Sequence, residues 1–201
     1  MDTVRALLDK AGTTYAEQAG IALADKPAPL YRLLVLSTLL STRIRADTAV
    51  AAARELAAYG TPERMLGSSR RDRVAALGRA HYVRYDESTA TALGDGARLL
   101  LDEHGGDLRR IRGDDLRARL LEFPRMGPVG ADIFCREAQA VWPELRPYLD
   151  RKTLDGARKV GLPADPDELA GLTAGKDLPR LAAALVRVSL DARLAAAVRA
   201  A

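Results

Sequence analysis

Leu120-Leu121-Glu122-Phe123-Pro124-Arg125-Met126-Gly127-Pro128-Val129-Gly130-Ala131 decides how this chain reads. Amphipathic patterns lie on both sides of a tight turn marked by Pro124, Gly127, Pro128 and Gly130, which predicts helix, hairpin, helix over residues 120–131. Pro128 suits the first position of the second helix, where its missing N–H is not needed. The free amides of such a start form a ready anion site, and phosphate is the commonest anion for a basic chain. Leu116 to Phe123 is expected as the first hairpin helix, and the second is expected to run on through Trp142.

Working outward, the 201 residues are 48% hydrophobic, 29% charged and only 4% aromatic, with 31 Lys and Arg against 27 Asp and Glu. Ala, Leu and Arg dominate, and such strong helix formers without alternating β-branched runs predict an all-α fold. The net charge of +4 makes a polyanionic partner plausible without specifying one. Cys135 is the only cysteine, so the chain offers no disulfide framework and no cysteine-based zinc or iron–sulfur site. It reads as a small buried apolar residue. With only His81 and His104 present, no metal is expected, and His104 reads as a cation at a helix C-terminus. The N-terminus lacks a signal-peptide pattern, and Leu30 to Leu40 is too short and too interrupted to span a bilayer. The expected location is cytoplasmic, nucleoid-associated if the source is bacterial, with no membrane partner.

Along the chain, a short amphipathic helix over Val4 to Ala11 precedes a proline-marked arm that ends at Pro29. Leu30 to Ser41 is apolar nearly all round, the mark of a central buried helix. Arg43 and Arg45 follow in a break, and Asp47 or a neighbour is expected to cap a helix over Thr48 to Tyr59. Thr61 with Pro62 opens another helix, and Arg70 to Leu77 forms the next. Arg79 to Arg84 is basic with aromatics interleaved, a partner contact or a solvated turn. Asp86 is expected to cap a long helix through Glu103. Asp150 starts a basic helix that stops at Gly161, Asp165 starts a short one, and Asp177 to Ala200 reads as one long terminal helix bent near Ser189. About ten or eleven helices on short loops fit an α-bundle architecture.

Phe123 to Ala131 resembles the helix-hairpin-helix of the endonuclease III superfamily of base-excision DNA glycosylases, which typically reads Leu-Pro-Gly-Val-Gly-x-Lys-Thr-Ala. Leu33 to Ser41 resembles that family's helix ending in Leu-Leu-Ser, and Leu99 to Gly106 its Leu-Leu-x-x-x-x-Gly-Gly. Asp150 to Leu162 is similar to its Asp-Thr-His-Val-x-Arg-Val-x-x-Arg-Leu-Gly-Leu. These blocks keep the family order from about Leu30 to Leu162. The resemblance implies a two-lobed helical DNA glycosylase fold. Residues 25–141 would carry the hairpin, residues 1–24 and 142–201 would form a second lobe, and double-stranded, damaged DNA would lie between them over Asp150.

The departures from the family define what chemistry is expected. Bifunctional members attack the sugar C1′ with a lysine, and the matching position here is Val129, so AP lyase activity is not expected. The family's four-cysteine cluster is absent. Arg43 replaces the glutamine that helps fill the gap left by a flipped base, and Arg125 replaces the first hairpin glycine. What remains resembles the cluster-free, monofunctional members that keep the aspartate and lack the lysine, such as the 3-methyladenine glycosylases. In such an enzyme Asp150 would stabilise oxocarbenium-like charge at C1′ and orient water, by the logic of glycoside hydrolysis. Plain helix capping is the other reading of Asp150.

Phosphate contacts are expected from the amides of Gly127, Val129 and Gly130, with Arg125, Arg151 and Lys152 adding charge. Arg43 and Arg45 read as groove wedges beside an extruded base or as a solvated loop. Lys152 would be the displaced nucleophile of a bifunctional alternative, although positions two apart on a helix point about 200° apart. A non-catalytic DNA-structure binder of the same fold is the second alternative, and a helical interaction module the third. No cofactor is expected. The sequence leaves the oligomeric state open, with a monomer the favoured reading, and no local motif identifies the damaged base.

Overall fold

The structure, a computed structural model, describes residues 2–201. Its α-helices are α1 Asp2–Ala11, α2 Tyr15–Gln18, α3 Pro27–Leu40, α4 Ala46–Glu55, α5 Pro62–Gly67, α6 Arg70–Arg79 and α7 Asp86–His104. They continue as α8 Leu116–Leu120, α9 Pro128–Ala138, α10 Arg151–Lys159, α11 Pro166–Ala170, α12 Leu178–Leu190 and α13 Ala192–Arg199. Short 3-10 turns occupy Leu56–Tyr59, Leu108–Ile111, Pro143–Leu145 and Gly175–Asp177. Among the described residues there is no strand, so the fold is all-α. Nor is any described helix long and apolar enough to cross a membrane. The chain divides into two compact units: Met1–Tyr15 with Cys135–Ala201, and Ala16–Phe134.

In the unit Ala16–Phe134, α3 is the central element. Its run from Leu30 to Leu39 is buried at every position except Arg32, as an apolar pattern with no polar face requires. The helix begins three residues before the expected Leu30, because Pro27 supplies a preset first-turn φ. α5 and α6 start on local chemistry. The Thr61 hydroxyl accepts the Arg64 N–H, and Ser69 and Asp72 form a reciprocal capping box. Those Ser69 hydrogen bonds hold the Asp72 carboxyl below its ordinary range. Arg73 is buried and spends its guanidinium on the carbonyls of Ala90, Met65 and Ser68, tying α5, α6 and α7 together without a carboxylate.

Two expected caps are not caps. α4 begins at Ala46 behind Arg45, which leaves Asp47 inside the first turn, and α7 begins at Asp86 behind Tyr85. Acidic residues suit a first turn as well as a cap, because the helix dipole favours them throughout it. The first hairpin helix is also shorter than expected. α8 stops at Leu120, and Leu121 to Arg125 form turns, with the residue before Pro124 disfavoured in helical geometry. α9 ends at Ala138 rather than Trp142. α2 was not signalled by the sequence at all, being a single turn too short to show a period.

In the unit Met1–Tyr15 with Cys135–Ala201, α1, α10 and α12 enclose a core that includes Leu7, Leu149, Leu169, Leu181, Leu185 and Val188. α10 meets α12 backbone to backbone: a Cβ added to Gly156 would lie 2.0 Å from the Leu185 carbonyl oxygen. The terminal segment is two helices and not one bent helix. Asp191 leaves helical geometry at φ −125° and ψ 107°, and its carboxylate accepts the N–H groups of Arg193 (2.8 Å) and Leu194 (3.1 Å) to start α13. Aspartate is a poor interior residue and a strong cap, so it sets the break instead of Ser189. Cys135 is buried.

Candidate nucleic-acid interface

The hairpin turn is built on an arginine in glycine geometry. Arg125 has φ +62°, a left-handed conformation that costs a non-glycine residue roughly 1–2 kcal/mol. Its flanking side chains explain why the backbone stays there: Phe123 and Met126 are both buried, and the Met126 N–H donates to the Phe123 carbonyl at 3.0 Å. The Arg125 carbonyl accepts the Gly127 N–H at 3.2 Å and the Ser41 hydroxyl at 3.4 Å. At the other end, its guanidinium donates to the Ser88 hydroxyl at 3.0 Å and sits 5.6 Å from the centre of the Tyr85 ring. Backbone and side chain are thus fixed independently, and the residue remains exposed.

Gly130 seats the start of α9 on the end of α3. A Cβ there would meet the Met126 sulfur at 2.5 Å, the Ser41 Cβ at 3.2 Å and the Ser37 carbonyl at 3.5 Å. Of the three amides expected to hold phosphate, that of Gly127 is already donated to Arg125, whereas those of Val129 and Gly130 have no protein acceptor among the described residues. Val129 is 60% exposed, a high value for an apolar side chain at a helix start.

An open depression of about 390 Å³ is lined by Ser41, Thr42, Arg43, Tyr85 and Arg125. Arg84 lies over the same Tyr85 ring at 5.2 Å, so two guanidinium groups share one aromatic partner. Among the described residues no carboxylate pairs with Arg43, Arg84 or Arg125. The loop that carries Tyr85 is anchored from below by Tyr82, which is fully buried and shares a hydrogen bond of 2.9 Å with the Thr42 hydroxyl. Unpaired cations around an aromatic face make a site for a phosphodiester with an unstacked base beside it. Arg43 and Arg125 are therefore brought together. Arg45 is not: it pairs with Asp47 at 3.3 Å, both side chains being more than four-fifths exposed. Tyr85, Arg84 and Ser88 were not singled out as site residues, and the basic, aromatic run Arg79 to Arg84 was the signal that led towards them.

Asp150 belongs to the other unit and has a different character. Its Oδ1 accepts the Thr153 N–H at 3.1 Å as the cap of α10, and its Oδ2 accepts the Arg136 guanidinium at 2.6 Å. The two side chains are only 13% and 9% exposed. The segment leading to Asp150 is held by Gln139, whose amide donates to the carbonyls of Arg136 and Tyr148 and accepts the Tyr148 N–H. Each carboxylate oxygen keeps one further acceptor position. Arg151 and Lys152 are exposed in the first turn of α10.

No protein-family profile matches the chain. No curated protein sequence matches it either. Among solved structures it is similar to a trapped endonuclease III–DNA covalent intermediate, an estranged-adenine complex. The TM-score is 0.52 at 15% sequence identity, over 91% of this chain and 83% of that one. The likeness is one of fold: this chain has an endonuclease III-like helical architecture.

Proposed function

We propose that the protein binds double-stranded DNA through the hairpin and the Arg43–Tyr85–Arg125 depression, and that it is a monofunctional DNA N-glycosylase of the base-excision type. The observation that carries the binding is the cluster of three unpaired guanidinium groups around Tyr85, next to a hairpin start with two free amides. Its occurrence in a fold similar to that of a protein caught on DNA supports the class of partner. Phosphates would lie on Arg43, Arg125 and the Val129 and Gly130 amides, fixing the register of the duplex without reading its sequence.

For the chemistry, Asp150 is the carboxylate available to stabilise positive charge at C1′ and to orient water while the base leaves. Arg136 and the Thr153 amide fix its position and leave acceptor capacity on both oxygens. Val129 supplies no nucleophile, so a Schiff base is not part of the reaction. The expected location remains cytoplasmic and the expected form a monomer. A second reading, a non-catalytic binder of DNA structures, is favoured by one specific observation: both Asp150 oxygens already serve structural partners.

Duplex oligonucleotides carrying single alkylated, deaminated or oxidised bases, followed by alkali to cut abasic sites, distinguish the two. The expected outcome is alkali-dependent cleavage of at least one substrate, lost in Asp150→Asn while duplex binding remains. Binding without cleavage across the panel leaves the non-catalytic reading. Cleavage without alkali, with borohydride trapping lost in Lys152→Ala, establishes a bifunctional enzyme instead.

A further inference from the structure

Three guanidinium groups gather at the depression beside the hairpin: Arg43 and Arg125 line it, and Arg84 lies over the Tyr85 ring. Among the described residues no carboxylate answers them. Exposed arginines elsewhere in the unit Ala16–Phe134 include Arg79, Arg109 and Arg119, and each has its acid: Glu55 at 2.6 Å, Asp107 at 2.7 Å and Asp115 at 2.7 Å. The acids that stand nearest to the depression in sequence are engaged with other groups. Asp86 accepts the Glu87 N–H at 2.7 Å, Glu87 pairs with Arg70, and Asp47 pairs with Arg45.

The start of α9 adds to this positive field, with the free amides of Val129 and Gly130, and the packing of Gly130 on Ser41 ties it to the rim of the depression. The hydroxyls of the rim face inward. Ser41 donates to the Thr38 carbonyl at 2.8 Å, Thr42 to that of Leu39 at 2.8 Å, and Ser88 to that of Tyr85 at 3.2 Å. Guanidinium and amide N–H groups are therefore the donors left for a ligand, and Arg125 spends one of its five guanidinium N–H groups on Ser88.

The depression, about 390 Å³, falls in the lower part of the roughly 300–1,000 Å³ range of small-ligand sites, room for one nucleotide and not for a length of duplex. A backbone phosphodiester brings a single negative charge, which leaves most of the field of three cations and a helix start unanswered. A terminal phosphomonoester brings about 1.5 to 2 charges near neutral pH and three acceptor oxygens. We propose that the depression binds the terminal phosphate of a DNA strand end, so that gapped or broken duplex is held in preference to continuous duplex. Arginine suits that ligand, because its planar fork meets phosphate oxygens in pairs. The proposal rests on the DNA-binding reading above and names the form of DNA that the same site selects.

The test measures binding of labelled duplexes of one sequence to the full-length protein by fluorescence anisotropy. One duplex is continuous, and the others carry a single-nucleotide gap ending in a 5′-phosphate, in a 3′-phosphate or in hydroxyls alone. At about 0.1 M salt a phosphorylated gap binds roughly tenfold more tightly than the hydroxyl gap, and the phosphate that gains identifies the strand end. Arg43→Gln and Arg125→Gln each cut that ratio to below about threefold. Both residues are exposed, so these variants keep the fold. Arg158→Gln, an equal loss of charge in the other unit, leaves the ratio unchanged. If continuous duplex binds and the phosphorylated gaps bind no better than the hydroxyl gap, the inference is overturned while the DNA-binding reading stands. A ratio that survives both depression variants, or that falls as far in Arg158→Gln, also overturns it. Absence of binding to every duplex overturns both.

Discussion

Arg125 and Asp150 are charged residues treated in opposite ways. Arg125 is exposed, has no counter-charge, and sits in backbone geometry that its own Cβ disfavours. Asp150 is nearly buried, is paired with Arg136 and caps α10. The difference separates two kinds of site. A residue held at a cost and left without a counter-charge is poised for something outside the chain, whereas a residue with its charge answered at home is first a structural element. On the reading proposed above, the hairpin takes the DNA, and Asp150 reacts only through the acceptor capacity its structural bonds leave over.

The strongest way to break this contrast is Asp150→Ala. It removes the α10 cap and leaves Arg136 as an uncompensated buried charge, so unfolding in urea should show a loss of about 3–5 kcal/mol. A loss below about 1 kcal/mol, the scale of an exposed pair, would show that the ion pair is not structural. Next, Arg125→Glu should weaken duplex binding by roughly 100-fold near 0.1 M salt while leaving thermal stability almost unchanged, and should flatten the dependence of affinity on salt. Unaltered affinity in a fluorescence-anisotropy titration would take the depression out of the interface. The smallest effect, and the sharpest, belongs to Arg125→Gly. Relief of the left-handed strain outweighs the added freedom of the unfolded chain by about 0.5 kcal/mol, giving a slightly more stable protein that binds DNA less tightly. A destabilised Arg125→Gly would mean that the Ser88 and Tyr85 contacts, and not the flanking core residues, hold the turn.

Much of the fold was legible because helix starts are written locally. Thr61, Ser69, Asp165 and Asp150 each accept an N–H within three residues, so their chemistry is visible in a short window. The all-round apolar run of α3 needed only composition. Helix ends were less legible: α8, α9 and the break at Asp191 depend on turns and packing that period alone does not fix. At the candidate site, Arg125 and Arg43 could be named from their motif positions. Tyr85 and Ser88 could not, since it is the start of α7, 37 residues before Arg125, that brings Ser88 to its guanidinium. Likewise the cap at Asp150 is a local pattern, whereas Arg136 comes from a preceding helix 14 residues away.

At Arg125, shape and spelling part company. The third position of the turn keeps the torsion associated with glycine, and a buried phenylalanine and methionine on either side impose it on a residue that would not choose it. A motif that spells glycine at this position does not describe such a hairpin. Written as one left-handed residue with a buried residue two places before it and another just after it, it also describes turns that carry a charge at their apex, and this chain supplies an example in which the apex is cationic.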